Sequence, residues 1–367
     1  MLKPAAWILA IVIVAACIAE FWAREHFPDG SPWPSPQAIS LPAELIEAHP
    51  TLGYRFKPNA NAFFSGPNDE FDVNYQINEY GLRDSGMFSS GPKQPLVLVL
   101  GDSYAEGYGV MRDATFTLEM QRQLRFQRGA TIYPRILNAG TSGYGAIQSV
   151  DRGKRLIEEL KPEIVIFTYT GLMPVADEWH ENDVKSIVLT DVSDRKTDTS
   201  SGLKVVQLIR DYLRARESRA AIEIGAPDTD LFAAARPGAA APKLHQQSLQ
   251  QIVSLAEFAA EREAKFLLLH IPLPHQVAND EWSTGRTAFG FGDEIYEPPE
   301  SDLLAQLCET TIPDCVLATA AFRKLASERS SRLFFPTSYA MTEVGHRAVV
   351  DLLIGYVRNA LNIPAPQ

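Results

Sequence analysis

Leu96-Val97-Leu98-Val99-Leu100-Gly101-Asp102-Ser103-Tyr104-Ala105-Glu106-Gly107 is an apolar run that ends abruptly in a polar turn. Its five consecutive aliphatic residues, two of them β-branched, suit a strand buried on both faces, as the centre of a parallel sheet requires. Ser103 therefore stands at a strand end. Ligands of open α/β sheets bind outside the carboxyl ends of the strands, so a hydroxyl placed there has the address of a nucleophile. The plainer alternative is a strand-ending turn in which Ser103 caps the next helix. Gly101 and Gly107 allow the backbone to turn tightly on either side.

Working outward, residues 113–127 have helical spacing, with Asp113 as the N-cap. Ile136-Leu137-Asn138-Ala139-Gly140 reads as a short second strand running into Thr141-Ser142-Gly143-Tyr144-Gly145. A helix to Leu160 follows, then the strand Ile164-Val165-Ile166-Phe167-Thr168-Tyr169. A helix over 247–263 feeds a further strand, Phe266-Leu267-Leu268-Leu269-His270-Ile271. Strands alternating with helices over short connections predict an α/β fold with a parallel sheet and right-handed crossovers.

Gly101-Asp102-Ser103-Tyr104 after a hydrophobic strand, the Gly140 segment as a second block, and the closing stretch Phe335-Pro336-Thr337-Ser338-Tyr339-Ala340-Met341-Thr342-Glu343-Val344-Gly345-His346 together resemble the SGNH or GDSL hydrolases. That resemblance implies a flavodoxin-like three-layer sheet and ester or acyl hydrolysis without a cofactor or metal. It makes Ser103 the nucleophile, with Asp102 beside it, and the amides of Ser103 and Gly140 donors to an oxyanion, joined by Gly171. Three positions depart from the family. Leu172 stands where the family has a donor Asn, Ser338 where it has the acid, and Ala340 where it has the histidine base. His346 lies six helical residues further on, at a position that is usually structural in the family, and faces another way. The histidines left to serve Ser103 are His180, His270 and His275. Each has a plainer reading: His180 as a solvated residue in an acidic run, His270 as a satisfied histidine under an insertion.

The N-terminus carries Lys3, then fifteen uncharged residues from Ala5 to Ala19, then Glu20. This reads as a signal-anchor with the rest of the chain on the outer side of the cytoplasmic membrane. Val14-Ala15-Ala16-Cys17 also resembles a lipobox, which would leave a lipidated Cys17 instead. The expected organisation is a membrane segment over 1–23, a proline-rich spacer over 24–40, a β-rich lead-in over 41–92 and an α/β domain over 93–362. The lead-in ends in Asn78-Glu79-Tyr80-Gly81-Leu82-Arg83-Asp84, which resembles the corresponding segment of tethered bacterial SGNH proteins. An insertion over 175–242, with a helix at 203–216 and a mobile Ala/Pro/Gly segment at 233–242, reads as a lid or a surface loop. Cys308 and Cys315 flank a short loop and read as a disulfide or as two thiols.

A net charge of −11 argues against a polyanion-binding surface, so nucleic acid is not an expected partner. Two functions stay open: a catalytically degenerate envelope protein that binds an acylated glycan or an assembly partner, and an active serine esterase or acyltransferase on acylated envelope or exported polysaccharide with a non-standard base.

Overall fold

The computed structural model describes residues 3–26, 41–66, 69–84, 94–126, 132–182, 205–206, 209, 232–238, 241–328 and 331–364. Helix α1 spans Lys3–His26 and carries Cys17 as an exposed free thiol. Among the described residues no helix is long and apolar enough to cross a membrane. The lead-in forms two antiparallel hairpins, β1 (Ile46–His49) with β2 (Gly53–Phe56) and β3 (Asn61–Ser65) with β4 (Asp72–Gln76). The expected spacer beyond His26 and the expected helix at 203–216 lie largely outside the described residues.

The α/β domain is one parallel sheet of β5 (Leu96–Leu100), β6 (Arg135–Asn138), β7 (Ile164–Tyr169), β8 (Lys265–His270) and β9 (Cys315–Leu317), in the order β6-β5-β7-β8-β9. In chain order that is the 2-1-3-4-5 arrangement of flavodoxin-like sheets, whose ligand crevice opens between the first and third strands. Here those are β5 and β7, and the turn with Ser103 leaves β5 at that place.

The sheet buries both faces because its central strands are almost wholly apolar, β5 at every position and β7 at all but Thr168. Val97, Val99, Ile136, Ile166 and Leu269 share one core with α3 (Phe116–Phe126) and the C-terminal helix. Leu98, Leu100, Leu137, Phe167 and Leu268 share the other with α4 (Ala146–Leu160) and α6 (Ala241–Ala260). Between these lie α2 (Ser103–Glu106) and α5 (Met173–Asn182); α7 (Ser283–Ala288), α8 (Ser301–Thr310), α9 (Thr319–Glu328) and α10 (Glu343–Ala360) complete the domain. Cys308 and Cys315 form a disulfide that ties α8 to the edge strand β9.

The segment expected to be mobile is partly core. Phe232, Ala234 and Ala235 are fully buried, with Phe232 packed edge-on against the Phe289 and Phe291 rings. An Ala-rich composition reads as loose, but small side chains also permit close packing.

The Asn78–Asp84 segment fastens the lead-in to the sheet. Asn78 Oδ1 accepts from the backbone N–H groups of Tyr80 and Leu82 at 2.9 and 3.0 Å, which sets the turn. Arg83 is then buried under the Ser103 loop, donating to the carbonyls of Glu106, Gly107 and Val110. Its guanidinium lies 3.7 Å over the Tyr75 ring.

Candidate active site

Asp102 is the cap of α2: its Oδ1 accepts from the Tyr104 N–H at 2.9 Å and its Oδ2 from the Thr170 hydroxyl. Burial pushes its carboxyl up to about 6, against the Thr170 and Tyr104 hydrogen bonds that favour the anion. With Asp102 taking the capping role, Ser103 opens the helix and is 3% exposed. Near this turn lies Tyr339, the residue between Ser338 and Ala340, whose backbone carbonyl accepts from the Tyr104 hydroxyl at 2.7 Å. Burial, then the nearby Asp102, Tyr108 and Tyr54, raise the Tyr339 phenol well above its ordinary value. Tyr339 therefore keeps its proton at neutral pH. It cannot act as a general base for Ser103.

No imidazole with a described side chain bonds to Ser103. His270, at the end of β8, lies 3.1 Å through Nε2 from Glu300 Oε1. His275 is stacked on Phe291 at 4.0 Å and its ring nitrogens make no hydrogen bond of normal geometry, with the backbone of Ala235 close by. Burial lowers its pKa to about 3, with Arg286 adding to the effect. His346 stacks on Phe116 and accepts from the Phe116 N–H at 3.4 Å, which is a structural role at the start of α3. His49 accepts from the backbone N–H of Leu52 in the lead-in. His180 lies on α5, but its side chain is outside the described residues.

The oxyanion donors are also redistributed. The Gly140 N–H is spent on Asn138 Oδ1 at 3.1 Å, and the Ser142 N–H on Glu106 Oε2. Gly140 is needed for packing instead, because a Cβ there would lie 2.3 Å from the Glu106 amide nitrogen. The N–H groups of Ser103 and Gly143 are bonded to no acceptor among the described residues. Gly143 has φ +79° and sits against the Tyr54 hydroxyl, so a side chain there would be both strained and blocked. Gly171 faces Glu300, Leu273 and Ala235, and Leu172, buried, offers no donor in place of the family's Asn.

Glu300 belongs to a second buried polar group. His245 Nδ1 lies 2.6 Å from the Tyr169 hydroxyl and its Nε2 lies 2.8 Å from the Ala234 carbonyl, a pattern that fits a neutral ring protonated on Nε2. Burial would raise Glu300, but His270 and His245 hold its pKa below the usual value. Burial lowers the pKa of His245 against the pull of Glu300. The signs agree. A depressed carboxylate and a depressed imidazole each contribute stability above their unfolded pKa values and lose it as pH falls below them. Each depressed histidine, His245, His275 and His346, withdraws about 1.4 kcal/mol per pH unit below about 6.5 until its folded pKa is reached. The melting temperature is therefore expected to fall steeply from pH 7 to pH 5, and less steeply in His245→Gln. A flat profile would contradict the neutral, buried assignment.

Sequence reading passed over Tyr339, Gly143 and Glu106. Tyr339 had a visible signal, since it lies between two replaced family positions. The others depend on which backbone amides are already occupied, which a sequence does not show.

No family model and no curated protein matches this sequence. Among solved structures the chain is similar to a putative lipolytic protein of the G-D-S-L family from Desulfitobacterium hafniense DCB-2, at 11% identity over 71% of this chain and 99% of that one, with a TM-score of 0.40. It is also similar to a psychrotrophic esterase from Pseudoalteromonas sp., at 14% identity over 73% and 100% of the two chains and a TM-score of 0.39. A third is a catalytic mutant of an acetylxylan esterase from Geobacillus stearothermophilus, at 13% identity over 74% and 96%, with a TM-score of 0.39.

Proposed function

We propose that this is an SGNH-like protein, tethered by its N-terminus on the outer side of the cytoplasmic membrane, that no longer hydrolyses esters and binds an acylated glycan of the envelope. The observation that carries the loss of catalysis is that no imidazole with a described side chain bonds to Ser103: His270 is held by Glu300 and His275 is stacked on Phe291. An assembly partner of the polysaccharide apparatus is the second ligand that fits the sequence reading.

Support for binding comes from a groove of about 510 Å³ between the lead-in hairpin and the closing segment, a volume within the range of small-molecule sites. Phe71, Val73, Met111, Phe334, Phe335 and Val344 give it an apolar lining. Asp72, Arg332 and Glu343 add polar and charged groups suited to sugar hydroxyls. Acyl groups would take the apolar lining. Calorimetric titration with an O-acetylated oligosaccharide is expected to show saturable binding that falls at least about tenfold, or about 1.4 kcal/mol, after chemical deacetylation. Met111→Asp, at a residue 46% exposed and hence tolerant of a charge, is expected to weaken it similarly. Equal binding of the acetylated and deacetylated forms would sink this reading of the groove.

A further inference from the structure

Two carboxylates hold the closing segment, 333–338, from opposite sides. Glu281, between β8 and α7, accepts from the N–H groups of Leu333 and Phe334 at 2.8 and 3.1 Å. Trp282 Nε1 adds a bond to the Thr337 carbonyl at 2.8 Å, so the segment belongs to the α/β domain. Glu70 comes from the lead-in, in the turn between β3 and β4 that the Gly66 N–H closes on the Phe71 carbonyl at 2.8 Å. Its carboxylate accepts from the N–H groups of Thr337 and Ser338, at 2.9 and 2.8 Å. Bonds from backbone N–H to a carboxylate are roughly twice as strong as neutral ones.

The groove lies between the two parts that Glu70 joins. Phe71, the next residue after Glu70, and Phe335, two residues before Thr337, both line it. Their rings stand 5.2 Å apart at an interplanar angle of 54°. The loop after Ser103 meets both at Gly109, where φ is +91° and a Cβ would lie 2.9 Å from the Phe335 ring and 3.2 Å from the Phe71 ring. A side chain there would be strained and would crowd the pair. Phe335 and Ala340 also pack with Phe71, Tyr75 and Tyr108 in the lead-in core. Apolar packing of that kind is non-directional. Two hydrogen bonds to one carboxylate are directional, and they set how the walls meet.

We infer that the Phe71–Phe335 pair is the acyl subsite of the groove and that Glu70 is the positioning residue that holds its two rings together. This rests on the reading above that the groove takes an acylated glycan. The acyl methyl lies on the rings, while Asp72, Arg332 and Glu343 are left for the sugar hydroxyls.

Calorimetric titration of the full chain tests this, with the O-acetylated oligosaccharide and its chemically deacetylated form as the two probes. Glu70→Ala is expected to cut the wild-type preference for the acetylated form from about tenfold to about twofold, with the deacetylated form bound as before. Glu70→Gln is expected to fall between, because its one carbonyl still accepts from a backbone N–H. Phe335→Ala, at a half-buried ring, is expected to lose the preference as Glu70→Ala does. Near-ultraviolet circular dichroism checks that each variant folds, and Glu70→Gln carries the test if Glu70→Ala does not. A role in folding alone would weaken both forms equally or neither, and either result would overturn the positioning role.

Hydrogen exchange reads the tie with no ligand present. Glu70→Ala is expected to speed exchange at the Thr337 and Ser338 amides by about tenfold and to leave Leu333 and Phe334, which Glu281 holds, unchanged. Equal acceleration at all four amides, or at none, would contradict the tie. Equal binding of the two probes by the wild type would refute the proposed function and the subsite with it. A wild-type preference that survives Glu70→Ala and Phe335→Ala would refute only this inference.

Discussion

Arg83→Met is expected to lower the unfolding free energy by about 3–5 kcal/mol, because it strips a buried, charged donor from three carbonyls at about 1–3 kcal/mol each. The guanidinium donates to three carbonyls of the loop after Ser103, at 3.1 Å to Glu106, 2.6 Å to Gly107 and 2.5 Å to Val110. Each would be left short of a buried donor. The Glu106 carboxylate suffers too, since its burial raises its pKa and Arg83 is the leading influence that lowers it. Arg83→Lys is not expected to restore stability, because one ammonium on a flexible stem cannot reproduce the planar fork over the Tyr75 ring. Adding Glu106→Gln to Arg83→Met should cost less than the sum of the two single changes, because the uncharged side chain no longer needs the cation. Urea unfolding of the four proteins measures this. A loss below about 1 kcal/mol for Arg83→Met would place the pair among exposed ion pairs and contradict the clamp.

The sheet was legible because its central strands are nearly continuous apolar runs that end in turns, as Val97 to Leu100 and Ile164 to Tyr169 do. The order β6-β5-β7-β8-β9 and its register are what the structure adds to that reading. The expectation for the 233–242 segment failed because alanine and glycine look alike in a loop and in a tight core, and only the surrounding Phe232 cluster separates the two. The place of Ser103 after a strand end was readable, whereas its neighbours were not. Gly140 and Gly143 sit in one turn with nothing local to say which amide Asn138 occupies. Candidate bases follow the same logic. His270 sits at a strand end, as a base should, but the nearest acceptor across the sheet edge is Glu300.

The second large effect concerns turnover. A serine hydroxyl at neutral pH holds its proton, so attack on an ester is slow however well the oxyanion is held. In a serine protease the loss of the base alone removes about 10⁶ of turnover. Leu172 removes a further side-chain donor, a change that costs about 10²–10³ where it has been measured. Tyr339 does not make up the difference, because its buried phenol stays protonated beside Asp102.

The measurement that bears most directly on this account is hydrolysis of p-nitrophenyl acetate at pH 7 by the full-length protein, beside Ser103→Ala and His180→Ala. The expected result is one slow rate shared by all three, set by background chemistry rather than by the serine. A fast wild-type rate abolished by Ser103→Ala would contradict it, and its simultaneous loss in His180→Ala would identify the base that Ser103 uses.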